Sequence, residues 1–195
     1  MRLSAPLSAW FCGLCLVWAG AAFCGLPGGS ALGIEARAVA AGEVWRLVTY
    51  AVVHGSWLHL AANGVGIWVT GRWLERQVGA WAVAAAGLLG IAGGALGFLV
   101  SVAVNPRLGA GMRCVGASGV LSALIGFAVG HWPRERLRVY LLGLPLTVRG
   151  LWLGALFVGL VAVEATLWPQ WTAYGAHLGA GIVGVLLGAV RAQQR

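Results

Sequence analysis

Residues 115–131 read VGASGVLSALIGFAVGH, an apolar run with Ser118 near its start. A run of this kind, free of Asp, Glu, Lys and Arg, is typical of a helix in a lipid bilayer. Ser118 would then lie at membrane depth, where polar side chains are costly and tend to mark function. Gly116 and Gly119 would let backbone amides and a substrate carbonyl approach the serine. The same glycines would equally serve close helix packing, so this motif leaves both interpretations open.

The composition places the chain among integral membrane proteins. Of its 195 residues, 60% are hydrophobic and 9% are charged, with a mean hydropathy of +0.87. Soluble domains carry about 25% charged residues. We predict a single domain over residues 1–195, an all-α bundle of six transmembrane helices. Their expected extents are roughly Leu7–Leu26, Leu47–Gly71, a part of Val78–Val104, Val115–His131, Leu151–Leu167 and Thr172–Val190.

The loop arginines predict the orientation of this bundle. With a cytoplasmic N-terminus, the inner side holds Arg2, Arg72, Arg76, Arg134, Arg136, Arg138, Arg149, Arg191 and Arg195, and the outer side holds Arg37, Arg46, Arg107 and Arg113. This excess favours two cytoplasmic termini and an even number of spans. Cleavage of Leu7–Leu26 as a signal peptide is the less favoured alternative. The net charge of +8 indicates anionic lipids as partners, rather than nucleic acid.

His177 is the candidate base for Ser118. Both residues open spans that start on the outer side, so they should lie at similar depth. Gly181, Gly184 and Gly188 give the sixth span a small-residue face that permits close approach to the fourth. A serine hydrogen-bonded to a histidine is the minimal arrangement of an activated nucleophile.

His59 and Asn63 are candidate oxyanion donors. They are four residues apart, so they share one helix face. At serine depth they could donate to a tetrahedral oxyanion together with the backbone N–H of Ser118. The alternatives are a hydrogen-bonded pair that joins two helices, and a metal site built from His54, His59 and His177. Metal binding is less favoured because no H-E-x-x-H motif and no acidic ligand lies nearby, and no cofactor is expected.

The chain contains no aspartate, so a Ser-His-Asp triad is excluded. We therefore expect His177 to act as a neutral imidazole in a dyad, with activity that rises with pH through a single ionisation. Glu164 is the other charge in an apolar span. We interpret it as structural and assign it no catalytic role.

In these motifs the chain resembles the rhomboid intramembrane serine proteases. The matching pieces occur in the family's order: Trp45-Arg46, His54, His59-Leu60-Ala61-Ala62-Asn63, Gly71-Arg72-Trp73-Leu74-Glu75, Gly116-Ala117-Ser118-Gly119 and Ala176-His177. The resemblance implies a six-helix bundle with a Ser118–His177 dyad in a water-filled cavity open to the outside, and an oxyanion hole completed by His59 and Asn63. It implies a fifth helix that acts as a lateral gate, and transmembrane protein substrates cut near the outer end of a single span. The expected location is the bacterial cytoplasmic membrane.

Two departures from the family pattern concern the surroundings of His177. Many bacterial rhomboids have a tyrosine four residues after the nucleophile, where this chain has Ser122, and a glycine three residues after the histidine, where it has Ala180. The rhombosortase subgroup is similar around Trp45–Asn63 but usually has histidine at the Ser122 position, so an ordinary rhomboid is preferred. The alternative function is a non-catalytic rhomboid-like chaperone or adaptor that binds transmembrane clients. Such relatives typically lose the serine or the histidine, and this chain has both.

Overall fold

The structure is a computed structural model that describes residues 7–23, 29–105, 107–141, 144–167 and 173–194. Its helices are Leu7–Phe23 (α1), Gly29–Leu32 (α2), Ala36–Ala40 (α3), Arg46–Thr49 (α4), Trp57–Val78 (α5), Ala80–Val104 (α6), Ser118–His131 (α7), Gly150–Leu167 (α8) and Tyr174–Ala192 (α9). Two antiparallel ladders pair Ile34–Glu35 (β1) with Arg113–Cys114 (β2) and Arg136–Leu141 (β3) with Leu144–Arg149 (β4). Arg2, Arg195 and the predicted span ends Leu26 and Thr172 lie outside the described residues.

The described helices are those of a membrane protein. Three of them, α6, α8 and α9, are long and apolar enough to cross a bilayer, and α1 and α7 contain shorter apolar helices. Helix α5 has 22 residues, with Arg72, Glu75 and Arg76 in its last turns. The arrangement of six spans therefore stays a prediction.

The second predicted helix begins later in the chain than expected. We predicted a start at Leu47, whereas α5 begins at Trp57, after Ser56, whose side chain accepts a hydrogen bond from the His59 backbone N–H. This is an N-cap, which satisfies one of the free amides at a helix start. The apolar residues before it are buried in protein: Tyr50 and Ala51 are each 1% exposed. Hydropathy does not separate burial in protein from burial in lipid, which explains the error.

Helix α7 lies at the centre of the bundle and packs most closely on α9. A methyl group added at Gly184 would collide with the carbonyl oxygen of Ala123, and one added at Gly188 would collide with that of Phe127. These two glycines therefore allow the close approach that the sequence suggested. Gly181 differs, because its missing side chain faces Phe157 of α8 at 2.7 Å, while its carbonyl oxygen contacts Gly126 of α7.

Helix α1 is joined to α5 by the motif Gly71-Arg72-Trp73-Leu74-Glu75. The carboxylate Oε1 of Glu75 accepts a hydrogen bond from the backbone N–H of Ser8 at 3.0 Å. A Cβ at Gly71 would lie 2.7 Å from Cβ of Ser8, and Leu74 is fully buried. The motif thus caps the start of α1, where free amides favour a negative charge.

The two ladders correct the prediction of an all-α chain. Strand β3 alternates exposed arginines, Arg136 and Arg138, with the buried Leu137 and the half-buried Val139. This period of two is typical of a half-buried strand, and the sequence interpretation, which used these arginines only for orientation, missed it. Ladder β1–β2 lies at the other end of the bundle, where α5, α7 and α9 begin. We call this end the serine end.

Candidate active site

Ser118 and His177 meet at the serine end. Ser118 is the first residue of α7, and His177 lies in the first turn of α9. Nε2 of His177 is 2.8 Å from Oγ of Ser118, within hydrogen-bonding distance. The glycine contacts between α7 and α9 bring the two helix starts this close. Because Ser118 opens α7, its backbone amide is among those that have no partner within the helix.

Glu164 is in contact with the other side of the same imidazole. Its Oε2 lies 2.7 Å from Nδ1 of His177, and the side chains are 28% and 17% exposed, respectively. The expectation that no carboxylate holds His177 is therefore wrong. The absence of aspartate excludes only a Ser-His-Asp triad, and a glutamate from α8 occupies the equivalent place. The sequence did carry a signal, since Glu164 is the sole ionisable residue of the 18-residue α8, and such residues in apolar spans mark function by default.

His59 and Asn63 face the loop that precedes Ser118. A Cβ at Gly116 would lie 2.6 Å from Cε1 of His59 and 3.4 Å from Nδ2 of Asn63. Gly116 has a φ of +116°, which L-residues with side chains rarely adopt. Asn63 is buried, and its Nδ2 has no hydrogen-bond partner among the described residues. Buried donors are nearly always paired, so this amide is available for an acceptor beside Ser118.

His54 is a further residue of the site. The sequence analysis considered it only as a possible metal ligand and as part of the family motif, and did not predict a contact beside Ser118. Its Nε2 accepts a hydrogen bond from the backbone N–H of Ala117 at 3.3 Å, and its Nδ1 lies 3.2 Å from the carbonyl oxygen of Val52. This pair of contacts requires a neutral ring with the proton on Nδ1. Burial, reinforced by the neighbouring His59, lowers the pKa of His54 to about 4. His54 thus holds the residue before the nucleophile and stays uncharged at neutral pH.

The segment 29–56 covers this end of the bundle and is held by polar contacts. The buried guanidinium of Arg46 donates to the carbonyl oxygen of Gly33 and to the carboxylate of Glu43, both at 2.7 Å. The indole N–H of Trp45 donates to the carbonyl oxygen of Ala31 at 3.4 Å. These contacts show what the Trp45-Arg46 motif does in this chain: it fixes the segment that leads to His54.

Tyr50 connects the segment 29–56 to the site itself. Its carbonyl oxygen accepts a hydrogen bond from the N–H of Gly116, and its hydroxyl donates to the carbonyl oxygen of Ile91, both at 2.8 Å. Outside the helices, Arg113 forms an ion pair with Glu35 at 2.8 Å and lowers the pKa of that carboxyl. This pair links β2 to β1 next to the loop that leads to Ser118.

The two departures from the family pattern are accommodated in different ways. Ala180 is fully buried and packs beside two glycines: methyl groups added at Gly94 and Gly119 would lie 3.7 and 3.8 Å from its Cβ. These are ordinary van der Waals distances, so alanine fits at this position. Ser122 is 5% exposed and places no aromatic ring at its position, and the described contact on the Nδ1 side of His177 is with Glu164.

Comparison with known proteins gives the same family for most of the chain. Residues 41–194 match the Rhomboid domain. The chain is 34% identical to RHOMBOID-like protein 5 of Arabidopsis thaliana over 93 aligned residues. This alignment covers 48% of this chain and 28% of that protein. It is 32% identical to Rhomboid-like protease 5 of Toxoplasma gondii over 151 aligned residues, and this alignment covers 75% of this chain and 16% of that protein. The chain therefore spans less than a third of the length of either relative. The match over residues 41–194, together with the motifs at the serine end, shows that this chain is a membrane protein of the rhomboid family.

Proposed function

We propose that this protein is an intramembrane serine endopeptidase that cleaves single-span membrane proteins near the outer end of the span. The observation that carries the proposal is the contact between Ser118 Oγ and His177 Nε2 at 2.8 Å, beside the buried amide of Asn63, which has no partner among the described residues. Acyl transfer needs a hydroxyl nucleophile, a base that takes its proton and a hydrogen-bond donor for the oxyanion, and these three groups lie together here. A protein that only binds its clients has no use for this arrangement.

The proposed reaction begins when Oγ of Ser118 attacks the carbonyl carbon of the scissile bond. The hydroxyl proton passes to Nε2 of His177, and the carbonyl oxygen becomes an oxyanion that His59, Asn63 and the Ser118 N–H stabilise. Collapse breaks the C–N bond, His177 returns the proton to the leaving amine, and an acyl ester remains on Ser118. Water, deprotonated by His177, then hydrolyses this ester and regenerates the serine.

The length of α7 supports cleavage within the bilayer. Its 14 residues extend about 21 Å at 1.5 Å per residue, whereas the hydrocarbon core is about 30 Å thick. If α7 reaches the inner boundary of this core, Ser118 lies roughly 9 Å below the outer one. Water must then reach the site through the serine end, as the family resemblance implies.

An apolar cavity between α5, α7, α8 and the β3–β4 ladder, at the end of the bundle opposite Ser118, suits the inner part of a transmembrane substrate. It has a volume of about 300 Å³, and its lining includes Trp73, Ile125 and Phe157 of the helices and Val139 and Leu146 of the ladder. Aromatic and aliphatic walls of this kind suit an apolar helix rather than a soluble peptide. The described polar contacts of α8 with the rest of the bundle include the backbone hydrogen bonds of Gly150 and Leu151 at its start and the contact between Glu164 and His177. Outward movement of α8 for lateral entry would therefore break few interactions.

The proposed location is the bacterial cytoplasmic membrane, with both termini in the cytoplasm. The excess of arginines at the end opposite Ser118 supports this orientation. The β1–β2 ladder pairs Glu35 with Arg113, which agrees with placing Arg37, Arg46 and Arg113 on one side of the membrane.

The test uses the purified full-length chain in liposomes, with a single-span reporter and a fluorophosphonate probe. We expect wild type to cut the reporter and to be labelled at Ser118. Ser118→Ala should lose both properties with little change in thermal stability. Ser101→Ala is the matched control, because Ser101 is also buried but its Oγ donates to the carbonyl oxygen of Phe98 at 2.7 Å rather than to a histidine. Labelling at Ser101 or Ser122, or a wild type that binds the reporter without cutting it, would contradict the proposal and favour the chaperone alternative.

A further inference from the structure

Glu164 contacts His177, but the reaction proposed above assigns no role to its carboxylate. Helix α8 is apolar along its length, and Glu164 is its sole ionisable residue. A carboxylate at such a position is costly unless it is paired. It lies 2.7 Å from Nδ1 of His177, and Nε2 of the same ring lies 2.8 Å from Ser118. Side chains from α8, α9 and α7 are thus linked in one row.

We propose that Glu164 is the positioning residue of a Ser118–His177–Glu164 triad, an inference that rests on the proposed protease function. To receive the proton of Ser118, His177 must have its lone pair on Nε2 and its hydrogen on Nδ1. An acceptor-only carboxylate beside Nδ1 selects this tautomer and fixes the plane of the ring. Without it, the other tautomer would place a hydrogen between Nε2 and Ser118, where it blocks proton transfer.

The carboxylate also acts while the reaction proceeds. When the proton of Ser118 moves to Nε2, the ring becomes an imidazolium whose Nδ1–H donates to Oε2 of Glu164. The negative carboxylate stabilises this positive ring, and it keeps its own charge throughout, because no proton passes to it. The proton on Nε2 later leaves with the amine product. Glu164 therefore lowers the barrier through His177 and does not contact the substrate.

Few other charges surround His177 in the described part of the chain. Helix α9 packs against α6, α7 and α8. Helix α6 has no titratable side chain, and that of α7, His131, lies at its opposite end. Besides Glu164, the titratable group close enough to influence His177 is His59 of α5, which is a neutral donor in the proposed mechanism. Tyr174 of α9 accepts a hydrogen bond from Asn105 through its hydroxyl. A change in the pH dependence after substitution of Glu164 can therefore be assigned to the carboxylate.

The experiment compares wild type with Glu164→Gln, Glu164→Asp and Glu135→Gln. Glutamine keeps the size of the side chain but has no charge, and its amide can also donate to Nδ1, which favours the wrong tautomer. Aspartate keeps the charge on a side chain shorter by one methylene. Glu135 lies in an exposed turn at the opposite end of the bundle and serves as the matched control. Two rates are measured between pH 5 and 9: fluorophosphonate labelling of Ser118, which needs no substrate entry past α8, and reporter cleavage.

We expect Glu164→Gln to lower both rates by about 10- to 100-fold, the range for loss of a partly exposed hydrogen bond to a charged group. Its loss of activity on acidification should move to lower pH, because the protonated ring is no longer stabilised. Glu164→Asp should recover part of the rate, and Glu135→Gln should behave as wild type. Thermal unfolding in detergent checks that the variants fold, and rates are taken per folded protein.

Two results overturn different claims. If wild type is active and Glu164→Gln has the same labelling rate and the same pH profile, the triad is wrong while the protease function stands. Equal losses in labelling for Glu164→Gln and Glu164→Asp without any shift in the pH profile would also overturn it, since Glu164 would then only hold α8. If wild type is neither labelled nor active at any pH, the proposed function itself fails.

Discussion

Asn63 is a residue at which stability and catalysis should change in opposite directions. Its side chain is 5% exposed, and its Nδ2 has no hydrogen-bond partner in the part of the chain that the structure describes. A buried donor without a partner costs about 1–3 kcal/mol. If the oxyanion of the transition state is the missing acceptor, the unpaired amide lowers the stability of the folded protein but stabilises the transition state. Replacement of Asn63 by leucine, which has as many side-chain heavy atoms, or by alanine separates the two effects.

The expected magnitudes follow from what each substitution removes. Asn63→Leu removes the unpaired donor without opening a cavity, so the free energy of unfolding should rise by as much as about 1–3 kcal/mol. Asn63→Ala also leaves a cavity on the order of 30 Å³, which costs about 0.7 kcal/mol, so its stability should change little. Both variants lose an oxyanion donor, and kcat should fall by roughly 10²–10³, or about 2.7–4 kcal/mol. KM should stay nearly constant, because this contact strengthens only in the transition state.

The assay combines thermal unfolding in detergent with cleavage of a single-span reporter in liposomes. Asn105→Leu is the matched control, since this asparagine is paired: its Nδ2 donates to the hydroxyl of Tyr174 at 3.0 Å, and its Oδ1 accepts from the Arg107 N–H at 3.1 Å. Its loss of two hydrogen bonds should lower stability. The reasoning is refuted if the Asn63 variants lose stability as Asn105→Leu does and still cut at the wild-type rate. Asn63 would then be a residue that joins two helices.

Two other substitutions test how the site is held. Because the pKa of folded His54 is about 4, below its ordinary value of about 6.5, acidification between these values protonates the unfolded chain first. Wild-type stability should therefore fall over this window more than that of His54→Gln, and parallel thermal-unfolding curves against pH would contradict the role given to His54. Gly184→Ala places a methyl group on the carbonyl oxygen of Ala123, so we expect lower stability and slower labelling of Ser118. Gly159→Ala has open space and should be stable, and equal behaviour of the two variants would contradict the close packing of α7 on α9.

The sequence by itself predicted the parts of the protein that depend on local composition. Apolar runs gave α8 and α9 to within two residues of their observed ends and located α6 within Val78–Val104, since a helix in lipid must satisfy its own backbone hydrogen bonds within one continuous segment. The ordered motifs gave the rhomboid family, which the match over residues 41–194 confirms. The shared depth of Ser118 and His177 also followed from local information, because both open apolar runs on the same side. Their catalytic roles stay predictions.

The tertiary structure alone decided the contacts between segments that the sequence treats separately. Hydropathy placed the start of α5 at Leu47, but the preceding residues are buried by other segments of the protein, and the cap at Ser56 sets the start at Trp57. Similarly, the pairing of Glu164 with His177 joins two different helices. The sequence of the apolar run around Glu164 does not show which residue of another segment pairs with its carboxylate. Which side chain pairs with it depends on how α8 rotates and packs against α9, and this is a property of the folded bundle rather than of either segment.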